Sequence, residues 1–271
     1  MQKYFRKHIF LPQDHGSWVF ILCPLFVGIF AGRSFSNATV YLIIAAMTAF
    51  LMRQPATIMI KSLSGRRSKD DLSIATTWLI VYGVIIVLTA LSLIRVGYGY
   101  LMILAIPAAP IFVWHLWLVS RREERRHIAI EIVATGVLSL AAPAADWIGI
   151  THYDAMGWWL WLLTWTQSAA SIVYTYLRLE QRDLDRIPTR SEQWRMGSSA
   201  KIFTSINLAS SIGFGFVSLI PKWIFIPYLI QWFETIWGIT HPAVGWKPVR
   251  IGTRQLIVST LWTVLFIIFW R

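Results

Sequence analysis

Apolar runs long enough to cross a bilayer fill most of the chain and are separated by short, charged connections. A helix rises about 1.5 Å per residue, so about 20 apolar residues span the hydrocarbon core of a membrane. In lipid the backbone groups must be satisfied within their own segment, and a helix achieves this. We therefore predict an all-α, polytopic transmembrane helix bundle of about nine spans, at about residues 16–32, 38–60, 73–94, 99–118, 128–147, 158–177, 201–220, 222–240 and 253–270.

The composition argues against a soluble fold. Hydrophobic residues make up 56% of the 271 residues and charged residues only 14%, whereas soluble domains carry about 25% charged residues. The sequence contains no low-complexity linker and no soluble domain, so residues 1–271 are predicted to form a single integral membrane domain. The single cysteine, Cys23, excludes an intrachain disulfide and a thiolate metal cluster, and we interpret it as a packing residue.

Positive charge is distributed unequally between the two ends of the predicted spans. If the N-terminus is cytoplasmic, the 25 Lys and Arg residues all fall on the cytoplasmic side except Arg33, Arg95, Lys222 and Arg271. This asymmetry predicts a multi-pass protein of the cell (inner, cytoplasmic) membrane with its N-terminus inside. We interpret the net charge of +12 as attraction to anionic lipid, with no nucleic-acid partner. Tryptophans at the outer ends are predicted to form an interfacial belt: Trp147, Trp158, Trp159, Trp223 and Trp270.

Two local features bear on how the spans pack. The spacing Gly28-x-x-x-Gly32 in the first span is typical of helices that approach a neighbour closely. The seventh and eighth spans meet at Pro221–Lys222, a connection so short that they could form one span. The charge asymmetry favours two spans, because a missing helix would move every later basic segment to the other side.

Polar residues within the spans mark the candidate functional region, because burying them in lipid is costly. They lie mostly in the predicted cytoplasmic half of the bundle. Arg53 is expected to meet a carboxylate there, either Glu131 or Glu234, and such a pair could be structural or could line a polar cavity. The candidate ligand-binding residues are Arg53, Gln54, Lys61, Arg66, Glu131, Tyr174, Arg178 and Glu234.

Candidate catalytic residues occur at one place in the sequence, the mouth of the first span. Asp14 and His15 stand at the mouth of the first span and are the acid–base candidates if the protein is an enzyme. The segment Ser62-x-x-Gly65-Arg66-Arg67 offers backbone N–H groups and two guanidiniums to a phosphate. The sequence contains no His-Glu-x-x-His and no paired cysteines, so we predict neither a metal nor a cofactor.

Four segments spread over most of the chain carry a family pattern. They are Pro12-Gln13-Asp14-His15-Gly16-Ser17-Trp18 with Pro24-Leu25-x-x-Gly28, Arg53-Gln54-Pro55 with Gly65-Arg66-Arg67, Tyr174-x-Tyr176-Leu177-Arg178, and Gly252-x-Arg254-Gln255-Leu256. Together they resemble the YwiC-like bacterial membrane proteins. Where that pattern leads us to expect a Glu just before the His, this chain has Asp14. The resemblance implies a multi-pass membrane protein and implies no particular reaction.

The predicted architecture is similar, more loosely, to the UbiA superfamily of intramembrane prenyltransferases. That resemblance implies nine spans and two Asp-rich motifs, at the inner ends of spans two and six, which hold magnesium on a prenyl diphosphate. At the first motif position this chain has basic residues, Arg53 and Lys61, and at the second an acidic group around Glu180. The complete pair of motifs is missing, so arginines such as Arg53 and Arg178 would bind a phosphate directly.

Three readings of function follow from the residues and the resemblances. The first is a cytoplasmic-side polar cavity, between spans one, two, five, six and eight, that binds an anionic lipid or isoprenoid. The second is a non-catalytic membrane protein partner or assembly factor of a respiratory or transport complex. The third is a small-solute transporter that uses Glu131 and Glu234 as proton-linked groups. The sequence leaves open whether the protein is an enzyme.

Overall fold

A computed structural model describes residues 7–11, 15–123 and 128–270, and within these the regular structure is helical. After a short helix α1 (Lys7–Phe10), the first half contains α2 (Val19–Ala31), α3 (Asn37–Leu63), α4 (Lys69–Arg95), α5 (Ala105–Ser120), α6 (Ile128–Ser139) and α7 (Ala141–Ile150). The second half contains α8 (Met156–Arg182), a short α9 (Arg190–Met196), α10 (Ser198–Phe216), α11 (Phe225–Thr240) and α12 (Pro248–Phe269). Short 3-10 segments lead into α2, α5 and α11 at His15–Trp18, Gly99–Leu104 and Lys222–Ile224.

Helices occupy every predicted span, which confirms the all-α fold class. Five segments of the described chain are long and apolar enough to cross a membrane: Asn37–Leu63, Lys69–Arg95, Gly99–Ser120, Ile128–Ile150 and Pro248–Phe269. Gly16–Ala31 is apolar and shorter. The remaining helices, α8, α10 and α11, carry more polar residues or are shorter, so the count of nine spans and the inside position of the N-terminus stay predictions.

Helix α2 lies at the centre of the bundle and packs on α6, α7, α8 and α12. Its Gly28-x-x-x-Gly32 spacing faces α7 at very short range. A Cβ built on Gly28 would meet the backbone of Ala142, with the carbonyl carbon at 2.9 Å, and one built on Gly32 would lie 2.8 Å from the Cα of Gly149. These glycines therefore allow the two helices to touch backbone to backbone.

The other helices fall into two groups on either side of this centre. Helix α3 packs on α1, α4 and α5 as well as on α2 and α7, whereas α8 and α10–α12 pack on one another. Helices α10 and α11 are two separate helices, whereas the prediction that each of them spans the membrane stays a prediction. Helix α10 ends at Phe216, and the chain turns at Ser218, which has a φ of +60°.

Trp147 does not lie in an interfacial belt, and that prediction is wrong for this residue. It is fully buried, with 0% exposure, and its indole Nε1 donates a 2.7 Å hydrogen bond to the carbonyl of Asp154. Tyr153 and Trp158 pack against its ring, at centroid distances of 4.8 and 5.6 Å. The loop after α7 folds back over the indole and replaces the contacts that lipid would make. Trp223, by contrast, is 53% exposed.

Candidate functional site

Arg178 is the most buried charged side chain near the end of α11, with 1% exposure. Its Nη1 donates to the carbonyl oxygens of Gly238 at 2.6 Å and His241 at 2.7 Å, and to the side-chain oxygen of Gln181 at 2.9 Å. The last carbonyls of a helix have no partner within the helix and carry partial negative charge. Arg178, one of the predicted residues, therefore caps α11 from a neighbouring helix.

Glu234 on α11 and Arg254 on α12 form a two-point ion pair. The Arg254 Nε and Nη2 atoms donate to the two carboxylate oxygens at 2.5 and 2.7 Å. The hydroxyl of Tyr174 donates to the same carboxylate at 2.7 Å. Parallel hydrogen bonds of this kind fix the plane of the guanidinium as well as its position. The arrangement holds α8, α11 and α12 in one register at this end of the bundle.

Two tryptophans lie among the guanidiniums of this region. The Arg254 guanidinium carbon is 3.6 Å from the ring centroid of Trp237. The Arg250 and Arg178 guanidinium carbons are 3.9 and 4.9 Å from the ring centroid of Trp246. The electron-rich face of an indole attracts a cation, most strongly where water is partly excluded. The rings therefore offset part of the cost of gathering three arginines in one place.

A cavity of about 540 Å³ opens beside these groups. Its polar wall consists of side chains from the end of α11, the following loop and the first turns of α12, and its apolar wall continues along α12. The lining residues are Glu234, Trp246, Arg250, Thr253, Arg254, Ile257 and Val258. We call this cavity the α11–α12 groove. It differs from the cavity expected between spans one, two, five, six and eight, because two C-terminal helices supply its walls.

The predicted site residues divide between two places in the bundle. Tyr174, Arg178 and Glu234 come together around the groove, as just described. Arg53, Gln54 and Lys61 lie on α3, which packs in the other group of helices. Arg66 follows α3 and donates to the carbonyl of Val119 at the end of α5 and, at 2.9 Å, to Ser64.

The expected ion pair of Arg53 with Glu131 or Glu234 does not form among the described residues. Glu234 is bound by Arg254 and Tyr174, while Glu131 accepts a 2.7 Å hydrogen bond from the hydroxyl of Tyr176. The error came from treating all cytoplasmic-half charges as one cluster, although Arg53 and the two carboxylates belong to helices in different parts of the bundle. A tyrosine hydroxyl and a second arginine, Arg254, take the places given to Arg53.

The acid–base candidates have a different outcome. Asp14 lies outside the described residues. His15 begins the 3-10 segment His15–Trp18, and its side chain lies outside the described part of the structure. Their proposed catalytic role therefore stays a prediction. No group of three or more His, Cys, Asp or Glu side chains suited to a metal occurs within the residues described.

Sequence reasoning missed four residues of the groove region: Arg250, Arg254, Trp237 and Trp246. Arg250 and Arg254 are counted on the cytoplasmic side and Arg254 belongs to the family pattern, but neither is named among the predicted site residues. Their spacing of four residues, just after Pro248, was a usable signal. Proline favours the first position of a helix, and residues four apart share one helix face.

The fold and site define a helical membrane protein with a charged and aromatic groove at one end of its bundle. Residues 11–146 match the family model described as YwiC-like protein, and this match covers half of the chain. The chain belongs to the YwiC-like family. Comparison with curated proteins and with solved structures gives no match. The matched segment contains α2–α5 and the α3 residues named above, whereas the groove lies beyond it.

Proposed function

We propose that the α11–α12 groove binds the anionic head of a membrane amphiphile, an anionic lipid or an isoprenoid. The observation that carries this proposal is the order of residues along one face of α12. Arg250 and Arg254 stand in the first two turns, and Ile257 and Val258 follow in the third turn on the same side of the groove. A head bound at the arginines would place its chain along the apolar residues.

The charge of the groove supports an anion. Its lining contains two arginines and one carboxylate, a net charge of +1 (+2 − 1). The Arg250 side chain lies over Trp246 and has no carboxylate within ion-pair distance among the described residues. The groove also includes the start of α12, whose first turn contains no acidic residue. The N-terminal end of a helix carries partial positive charge and favours anions.

The apolar wall supports an amphiphile over a small soluble anion. Ile257 is 61% exposed, and Leu256 and Leu261 on the same helix are 50 and 44% exposed. In a membrane helix such residues contact lipid tails. The apolar wall of the groove therefore includes an α12 residue, Ile257, that is exposed toward the surrounding lipid.

The test is native mass spectrometry of the purified protein in mild detergent, with added phosphatidylglycerol or phosphatidylcholine. We expect the wild type to retain phosphatidylglycerol preferentially, and Arg250→Ala to lose about 10- to 100-fold in affinity, since a hydrogen bond to a charged group contributes about 1.5–3 kcal/mol. The matched control is Arg121→Ala, because Arg121 also lies over a tryptophan, Trp117, at 4.4 Å and stands outside the groove.

A second control addresses the predicted site on α3. Arg53→Ala should retain lipid as the wild type does, because α3 does not line the groove. Loss of lipid in Arg53→Ala but not in Arg250→Ala would move the site to α3. Equal retention of both lipids by the wild type, with Arg250→Ala unchanged, would contradict lipid binding and leave the Glu234–Arg254 pair as a structural link.

A further inference from the structure

The Glu234 carboxylate stands directly against the cation that a bound head would use. Its side chain is 11% exposed and that of Arg254 is 36% exposed, so the carboxylate lies deeper than the guanidinium. Arg254 binds it through Nε and Nη2. Arg254 Nη1 has no hydrogen-bond partner among the described residues and is the edge that remains for a ligand. A head on Nη1 would be separated from the carboxylate by a single guanidinium.

We propose that Glu234 is a specificity-determining residue of the groove, which lowers its positive charge by one and so reduces the advantage that a doubly charged head would otherwise have over a singly charged one. This inference rests on the function proposed above. A phosphodiester or carboxylate head carries one negative charge, whereas a phosphate monoester carries about two near and above neutral pH. Glu234 repels every anion in the groove, and it repels a doubly charged head twice as strongly.

The size of this repulsion follows from the distance between the Glu234 carboxylate and a bound head, which is the width of one guanidinium. Across one guanidinium, at an effective dielectric constant of about 20 to 40, the repulsion between two unit charges corresponds to a factor of at least about ten in affinity. The charges of the other groups do not alter the comparison between the wild type and a variant that lacks the Glu234 charge. Arg250 in the groove and Arg178 behind Trp246 attract both kinds of head, and neither is changed when Glu234 is replaced.

The hydrogen bond from Tyr174 to Glu234 provides a matched control. Tyr174→Phe removes a hydroxyl that donates to the carboxylate at 2.7 Å and leaves the charge of the groove unchanged. Glu234→Gln removes the charge and keeps the side-chain length. Glu234→Gln weakens the link from α11 to α12 and Tyr174→Phe the link from α11 to α8, so a purely structural role of Glu234 would leave the preference between heads unshifted in both variants. A role in selecting charge would separate them.

The experiment measures affinities for phosphatidic acid and phosphatidylglycerol by native mass spectrometry at pH 8. For Glu234→Gln, we expect the affinity for phosphatidylglycerol to rise about tenfold and that for phosphatidic acid by more, so that the ratio of the two shifts about tenfold toward phosphatidic acid. For Tyr174→Phe, the ratio should stay within about twofold of the wild type.

A second variant keeps the test decisive if Glu234→Gln folds poorly. Thr253 lines the groove and is exposed on α12, so Thr253→Glu adds a negative charge without disturbing the ion pair. It should shift the ratio in the opposite direction, toward phosphatidylglycerol. An unchanged ratio in both variants, while Arg250→Ala still weakens both lipids, would overturn the role of Glu234 and leave the proposed function standing. Equal retention of phosphatidylglycerol and phosphatidylcholine by the wild type would instead refute the proposed function itself.

Discussion

The contact between α2 and α7 gives a prediction whose size follows directly from the structure. A Cβ on Gly28 would lie 2.9 Å from the backbone carbonyl carbon and Cα of Ala142. Because those atoms belong to a helix backbone and cannot rotate away, Gly28→Ala must push the two helices apart by at least several tenths of an ångström. Overpacking of this kind costs about 1–3 kcal/mol. We therefore expect Gly28→Ala to lower the free energy of unfolding by that amount.

The matched control is Gly83→Ala on α4. Gly83 is also inside a helix, but a Cβ there would meet nothing within 4 Å. Replacing a helical glycine by alanine where the added methyl group has free space stabilises a helix by up to about 1 kcal/mol. The two variants should therefore differ by about 1–4 kcal/mol in an unfolding titration with sodium dodecyl sulfate in mixed micelles, followed by tryptophan fluorescence. Equal midpoints for the two variants would refute the backbone contact between α2 and α7.

Three further predictions concern other parts of the chain. The hydrogen bonds that Glu192 accepts from Arg186 and from Thr189, the residue that caps the start of α9, lower the pKa of its carboxyl to about 2. The stability that they provide is complete above the ordinary value of 4.5 and is lost as the pH falls toward 2, so Glu192→Gln should flatten the dependence of Tm on pH in that interval. Arg178→Lys should lower stability by about 1–3 kcal/mol and nearly as much as Arg178→Ala, since one ammonium cannot reproduce the bonds of the guanidinium to the end of α11; a wild-type Tm for the lysine variant would contradict the capping role. Trp147→Phe should cost about 1–3 kcal/mol in thermal melting, whereas Trp223→Phe at an exposed position should change it by less than about 0.5 kcal/mol.

The helical fold and the position of each helix could be predicted from the sequence because the apolar runs are long and their connections are charged. Helix α8 shows the limit of that signal. Its polar residues Gln167, Ser168 and Ser171 are buried, at 4, 1 and 1% exposure. The Ser168 hydroxyl donates within α8, whereas the Gln167 carbonyl and the Ser171 hydroxyl accept hydrogen bonds from α11 and α12. A helix that contains several such residues has a low mean hydropathy, although it lies inside the bundle. Hydropathy averages over a helix and cannot say which face meets lipid.

The candidate site was predicted in part, for a related reason. Depth along a span follows from counting residues, so Tyr174, Arg178 and Glu234 were correctly assigned to one end of the bundle. Which helices meet there does not follow from depth. Depth led to Arg53 as the expected partner of Glu234, and only the packing of α11 on α12 shows that Arg254 takes this place.

The groove lies beyond the residues that match the family, but its helices pack on the matched part of the fold. The match covers residues 11–146, which include α2 and most of α7, and α2 packs on α8 and α12. The C-terminal helices are thus assembled on the matched part of the fold. The arginines beyond the match are held by the cap on α11, the two-point pair to Glu234 and the faces of two tryptophans. A side chain that only attracted lipid from a cytoplasmic loop would need none of these contacts. Their fixed geometry beside an exposed apolar helix face favours a binding groove over a diffuse basic surface.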